Sequence, residues 1–207
     1  MPRSIHRCCI CCILILSLLF FLSCASGPAP TDTEPVKSMP DVEEVELGSL
    51  EEVQQLPPLS GRFDNIVIRR FDAGEGVRKD YPEAVFECKT ALMSHLKAKN
   101  AYRAVTEESG AALPGKSLFV DMEVVDLRIA SAAARFWGGA FAGASYMKVL
   151  VRLTDGSTQQ VVHEKVLSST TNPFGAAWTM GASDRTLPMD FGKMIGEYLY
   201  TIVPSAG

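Results

Sequence analysis

The chain has 207 residues, a formal net charge of −4 and six cysteines, five of them within the first 24 positions. That length suits a leader plus one domain of about 150 residues, and Cys88, alone in the body, cannot build a disulfide scaffold. Residues 25–60 hold eight acids against one lysine, so residues 61–207 are close to neutral. They lack the basic stripe a phosphate backbone requires, which argues against nucleic acid as a partner.

Residues 1–7 carry Arg3 and Arg7 and no acid, and residues 8–22 are apolar apart from Ser17. A basic start, an apolar stretch of about 7–15 residues and small residues after it make a secretory signal. The rival reading is a transmembrane anchor, for which about 20 apolar residues are needed. Phe21-Leu22-Ser23-Cys24 resembles the lipobox of bacterial lipoproteins, with Phe21 where leucine is usual. The resemblance implies cleavage between Ser23 and Cys24, diacylation of the Cys24 sulfur and acylation of its new amine. One acyl chain holds a membrane only weakly, whereas three hold it effectively for good. Ordinary cleavage, with Cys24 as a spare residue, is the alternative. Ala25 and Ser26 lack the aspartate that retains some lipoproteins at an inner membrane, so the resemblance points to an outer membrane, with the protein facing the periplasm.

Residues 24–60 hold six prolines and no aromatic residue. Such a stretch cannot bury enough apolar surface to offset its chain entropy and reads as an acidic tether. Leu47, Leu50 and Val53 share a rough stripe that allows a short helix near 47–55.

The body, residues 61–207, reads as one α+β domain. Phe63–Phe71 is β-branched and partly alternating, a first strand that ends at Ala73-Gly74-Glu75-Gly76. Asp80 with Glu83 predicts a capping box, and Pro82 suits the first turn of a helix running to Lys99. Val85, Cys88, Leu92 and Leu96 fall on one face of it, which makes Cys88 a core residue, and Asn100 can cap its end. A short strand over Ala101–Thr106 and a loop over 107–116 follow. Ser117–Ala130 is the strongest strand, with a change of phase near Val125 that predicts a bulge. Met147–Leu153 alternates cleanly, Asp155-Gly156 predicts a two-residue hairpin turn, and Gln159–Ser168 is the returning strand. Asn172-Pro173-Phe174-Gly175 is turn chemistry. A second helix over 187–203 is marked by Pro188 and by the stripe Phe191, Met194, Ile195, Tyr198 and Ile202. This order predicts a mixed or antiparallel sheet of four to five strands with two helices on one face.

The two strongest strands are joined by Ser131–Tyr146, which is small, nearly uncharged and glycine-containing. Three readings stand: a wide hairpin connection, a phosphate cradle, or a surface that meets a membrane or partner. The last would use Phe136, Trp137 and Phe141 as anchors, with Gly138, Gly139 and Gly143 shaping the backbone. No GxxxxGK[ST] or GxGxxG accompanies the glycines, which counts against the cradle.

Arg135 before Gly138-Gly139 and Gly143, the strand Tyr146–Leu153 and the turn Thr154-Asp155-Gly156 resemble a family of bacterial envelope lipoproteins known as domain of unknown function 4410. The resemblance covers about residues 61–203 and implies an envelope lipoprotein with no known catalytic residue. The topology is also similar to the periplasmic domains of the curli-secretion lipoprotein and of TolB, an analogy of fold that carries no function.

Chemistry is sparse. Beyond the leader only His95 and His163 remain, on a helix and a strand, so a standard zinc site is not expected. A set of His163, Asp155 and Ser157 can be imagined, but no G-x-S-x-G elbow exists. No cofactor or metal is expected. The sequence predicts a non-catalytic envelope lipoprotein that binds a membrane through its lipid and contacts an envelope protein or cell-wall partner. The alternatives are a homo-oligomeric subunit of a secretion or pore assembly, and a hydrolase with an unrecognised site.

Overall fold

The strongest apolar alternations of the sequence become the centre of a six-stranded mixed sheet. The computed structural model describes residues 42–48, 50–108, 113–171 and 182–206. Within them run β1 (Glu44–Glu46), α1 (Leu50–Val53), β2 (Asn65–Ala73), α2 (Glu75–Asp80), α3 (Ala84–Lys99), β3 (Ala104–Glu107) and β4 (Ser117–Arg128). Then come α4 (Ala132–Gly138), a 3-10 turn (Gly139–Ala142), β5 (Tyr146–Asp155), β6 (Val161–Thr170), α5 (Ala182–Arg185) and α6 (Leu187–Ile202).

The strand order is β1-β6-β5-β4-β2-β3. The central pairs β4–β5 and β5–β6 are antiparallel, and β2 lies parallel to both β3 and β4. Register sets Val120, Met122 and Val124 of β4 opposite Leu153, Val151 and Val149 of β5, and all six are buried. Each fully buried side chain of this kind contributes roughly 1.5–3 kcal/mol. The bulge expected near Val125 is present as a register shift between Val124 and Asp126.

Both long helices cover this apolar face. Cys88, Leu92 and Leu96 of α3 and Phe191, Ile195 and Leu199 of α6 are fully buried in the same core. Glycine decides how closely the two helices approach. A Cβ on Gly192 would stand 2.3 Å from the Cys88 carbonyl oxygen, and one on Gly196 would stand 3.0 Å from the His95 Cβ. The end of α3 is closed by Asn100 in the left-handed region, as its sequence suggests. The far end of the domain is tied by Tyr102, whose hydroxyl donates to the Val203 carbonyl (2.7 Å), and by Phe63, which bridges to Ser205.

The opposite face of the sheet carries charge. Arg69 pairs with Asp121 and lies over the Phe119 ring, while Arg152 pairs with Glu164 and Lys148 with Glu44. A sheet covered on one face reads as alternation, and this is the pattern β4 shows, whereas β5 also buries Leu150, Thr154 and Asp155 between its neighbours.

Several expectations are corrected. The sheet has six strands, because the expected tether does not extend to residue 60. Glu44–Glu46 pairs in parallel with Val166–Ser168, and Leu47 and Val53 are buried. Acidic composition misled there: Glu43 and Glu44 are bound by Lys165 and Lys148 of the sheet. The capping box does not form. α3 begins at Ala84 with Glu83 as its cap and no side-chain cap bond, and Gly74–Gly76 leads into α2 instead of a plain break. The turn after β5 is longer than two residues. Asp155 accepts from the Ser157 amide (2.9 Å) and hydroxyl (2.6 Å), and Gln159 takes the positive φ. The Asn172–Gly175 turn, the leader and Cys24 lie outside the described residues.

Candidate functional site

The connection between β4 and β5 is an ordered excursion, not a slack hairpin loop. Ser131 caps α4 by accepting the Ala134 amide (3.1 Å), so a run of small residues starts a helix at its own N-cap. Gly139 (φ +52), the first residue of the 3-10 turn, and Gly143 (φ +82), just after it, take left-handed backbone angles that favour glycine. Gly143 has a second task. A Cβ there would meet the Arg128 guanidinium at 2.9 Å, and that guanidinium donates to the carbonyls of Ala144 and Ala142, each at 3.1 Å.

The base of the excursion is clamped by buried polar groups. The Ala130 amide donates to Ser145 Oγ (2.8 Å), and Ser145 Oγ donates to Asp184 Oδ1 (2.6 Å). Thr171 Oγ1 donates to the same carboxylate oxygen (3.0 Å) and accepts the Ser145 amide (3.1 Å). Ser145 and Asp184 are fully buried. Buried polar groups are costly unless satisfied, so these bonds hold β4, β5, β6 and α5 in one arrangement. Tyr81 adds a further point, its hydroxyl accepting the Ile129 amide (3.1 Å).

On this rigid base the apolar side chains point to solvent. Phe136 is 67% exposed, Trp137 85% and Phe141 100%. Phe136 and Trp137 meet edge to face with centroids 5.0 Å apart. Aromatic side chains present about 150–250 Å² each, so the exposed patch is on the order of 500 Å². An apolar area of this size is that of the largest patch on a typical monomer, which is often functional. The structure places Phe136, Trp137, Gly138, Gly139, Phe141 and Gly143 in one segment, formed by α4, the 3-10 turn and the residue after it. Gly138 has ordinary contact distance to Ala142 and is conformationally unremarked. The side chain of Arg135 lies outside the described residues.

A second apolar surface was not singled out from sequence. A groove of about 480 Å³ lies between α3 and α6, lined by the apolar Phe86, Ala91 and Met189 and by the polar Glu87, Thr90 and Lys193 among others. Phe86 is 62% exposed and Met189 41%. The available signal was Phe86 itself, a phenylalanine standing off the buried stripe of α3.

The titratable groups are committed elsewhere. His163 Nε2 lies 2.6 Å from the Tyr198 hydroxyl, and burial, with the Lys165 charge, lowers its pKa. Burial pushes Tyr198 up to about 12. Asp155 is held well below the usual carboxylate range by hydrogen bonds from Lys116 and Ser157, so Asp155 and Ser157 meet each other but not His163. His95 pairs with Glu197 (2.7 Å), which also binds Lys99 (2.6 Å) and Gln54 (3.1 Å). Burial raises the Glu197 pKa, but these hydrogen bonds together outweigh it and hold the group at about 2. Burial raises the Cys88 thiol far above neutral pH, as expected of a core cysteine. Among the described residues no cluster of His, Cys, Asp and Glu could hold a metal ion. No helix among them is long and apolar enough to cross a membrane.

Fold and surface together define an α+β domain with one helix-covered sheet face and a protruding aromatic excursion. The family described as Domain of unknown function (DUF4410) matches residues 42–198, and the chain belongs to that family. The match begins at residue 42, in step with the sheet reaching back to β1. The chain is similar to the PelC dodecamer from Paraburkholderia phytofirmans (13% identity, 72% of this chain and 95% of that one, TM-score 0.45). It is also similar to a Xanthomonas campestris protein of family DUF330 (12% identity, 70% of this chain and 89% of that one, TM-score 0.44). Comparison with curated proteins finds no match.

Proposed function

We propose that this protein is a lipid-anchored, non-catalytic lipoprotein of the bacterial envelope that uses the α4 excursion to bind a partner there. The observation that carries the reading is the clamped base beneath Phe136, Trp137 and Phe141. A segment with no task beyond joining two strands has no need of a fully buried carboxylate to fix it. The leader ending in Phe21-Leu22-Ser23-Cys24 supports anchorage through acylated Cys24, and Ala25-Ser26 supports the outer membrane facing the periplasm. The commitment of His95 and His163 to Glu197 and Tyr198 supports a binding role over a catalytic one.

Two measurements test this. Intact-mass analysis of native material should give a chain beginning at Cys24 with added acyl mass, and a species still beginning at Met1 refutes the anchor. Crosslinking in intact envelopes should give adducts that disappear when Phe136, Trp137 and Phe141 are changed together to serine. Adducts that persist unchanged refute the excursion as the contact surface.

A further inference from the structure

The chain exposes two apolar features of opposite shape, the α4 excursion that protrudes and the α3–α6 groove that recedes. Building on the reading of the excursion as a contact surface, we infer that its partner is a second copy of this chain, whose α3–α6 groove receives Trp137 and Phe141. The groove's volume of about 480 Å³ lies within the range of cavities that seat ring systems. Tryptophan and other aromatics in such a pocket, ringed by weaker contacts, are the usual centre of an interface.

Charge favours the same pairing. Between Ser131 and Ala144 the only charged residue is Arg135, a cation. The groove is lined by Glu87 and by Lys193, the latter paired with Asp190 (3.0 Å), and Glu83 lies one turn before Glu87 on the exposed surface, so acids outnumber bases there. A single cation gives little attraction to anionic lipid, about 1 kcal/mol, and a membrane would leave Phe86 and Met189 uncovered.

The two surfaces differ, so two arrangements satisfy the contact. Two copies inserting reciprocally close a two-fold dimer, whereas one-way insertion is head-to-tail and gives a ring if the rotation closes and a fibre if it does not. With about 500 Å² from the excursion and less from the groove, the interface is smaller than that of a standard specific complex. It should therefore form when a membrane anchor concentrates the chains and weaken on dilution.

The full chain, reconstituted in phosphatidylethanolamine–phosphatidylglycerol vesicles, provides the test. A Phe141→Cys, Met189→Cys double variant should give, on mild oxidation, intermolecular crosslinks, ending at the dimer if insertion is reciprocal and forming a ladder beyond it if insertion is head-to-tail. Adding Phe86→Ser, at an exposed position that the core does not use, should reduce these crosslinks several-fold with no change in thermal midpoint. Crosslinked dimers from Phe141→Cys alone, at a yield matching the double variant, would show a contact between two excursions and overturn the inference. Absence of any crosslink from the double variant while envelope crosslinks still depend on Phe136, Trp137 and Phe141 would also overturn it, leaving the excursion with another partner. If those envelope crosslinks too ignore the three aromatics, the broader reading of the excursion has failed as well.

Discussion

Replacing Gly192 by alanine tests the closeness of α3 and α6 on which the helix layer depends. A methyl at that position would lie 2.3 Å from the Cys88 carbonyl oxygen, 3.0 Å from its carbonyl carbon and 3.1 Å from the Ala91 Cβ. Normal contact begins near 3.4 Å, so the helices must part by about 1 Å, and the obstacle is backbone, which cannot swing aside as a side chain does. Overpacking of this kind costs about 1–3 kcal/mol, and rigid obstruction puts it at the upper end. Alanine's better helix propensity returns about 1 kcal/mol. The net loss is about 2 kcal/mol, or a fall of roughly 4–8 °C in thermal midpoint for a chain of this size. Gly76→Ala, where nothing stands within 4 Å of the added methyl, makes the matched control and should be neutral or stabilising by up to about 1 kcal/mol. Urea and thermal unfolding of both variants would check this, and equal effects at the two sites would refute the argument from helix approach.

Glu197→Gln should lower stability at neutral pH by about 3 kcal/mol, the free-energy equivalent of holding the carboxyl at about 2 against its ordinary 4.5. Because the folded pKa is depressed, the folded chain binds fewer protons than the unfolded one between those values. The stabilisation is therefore complete above about pH 4.5 and lost as pH falls toward 2, and the gap between wild type and variant should close across that window in denaturant titrations. Leu47→Ala should cost about 2–3 kcal/mol, loosen β1 and open the edge of β6, which would register as increased aggregation by light scattering. Gly143→Ala should strain a backbone at φ +82 by about 1 kcal/mol and displace Arg128 from Ala142 and Ala144. Limited proteolysis should then cut within 131–145 several times faster than in wild type.

The parts of the fold legible in the sequence were those where one physical demand dominates. α6 was read nearly to the residue, because Phe191, Ile195, Tyr198 and Ile202 must all meet the core and Pro188 fixes its start. β4 and β5 were equally plain, with their bulge, since one face is buried and period two has no competitor. The first β-strand was missed because its acids suggested solvation. Only the register Glu44↔Val166 brings Lys148 and Lys165, more than 100 positions away in sequence, to neutralise them. The Ser145–Asp184–Thr171 clamp was likewise illegible, since it joins three elements whose sequence shows no shared period. Of the candidate site, the aromatic anchors and the glycines could be named in advance, but the order of the excursion and the existence of the groove could not.

The length of the β4–β5 connection gives the exposed rings their meaning. Two antiparallel neighbours need only about two to five residues to turn, yet here the chain leaves at Arg128 and returns at Tyr146 after a helix and a 3-10 turn. Had that stretch served only to connect, shorter polar turn residues would satisfy the same ends at no risk of aggregation. Instead it is clamped by buried hydroxyls and a buried carboxylate, and it turns Trp137 and Phe141 outward. Phe86 and Met189 break the same rule on the helix layer, where polar residues would serve the fold as well. Sequences that otherwise agree with their fold at every level depart from it where function intervenes. One of these departures is convex and the other concave, and it is this opposition of shape that the inferred contact between copies uses.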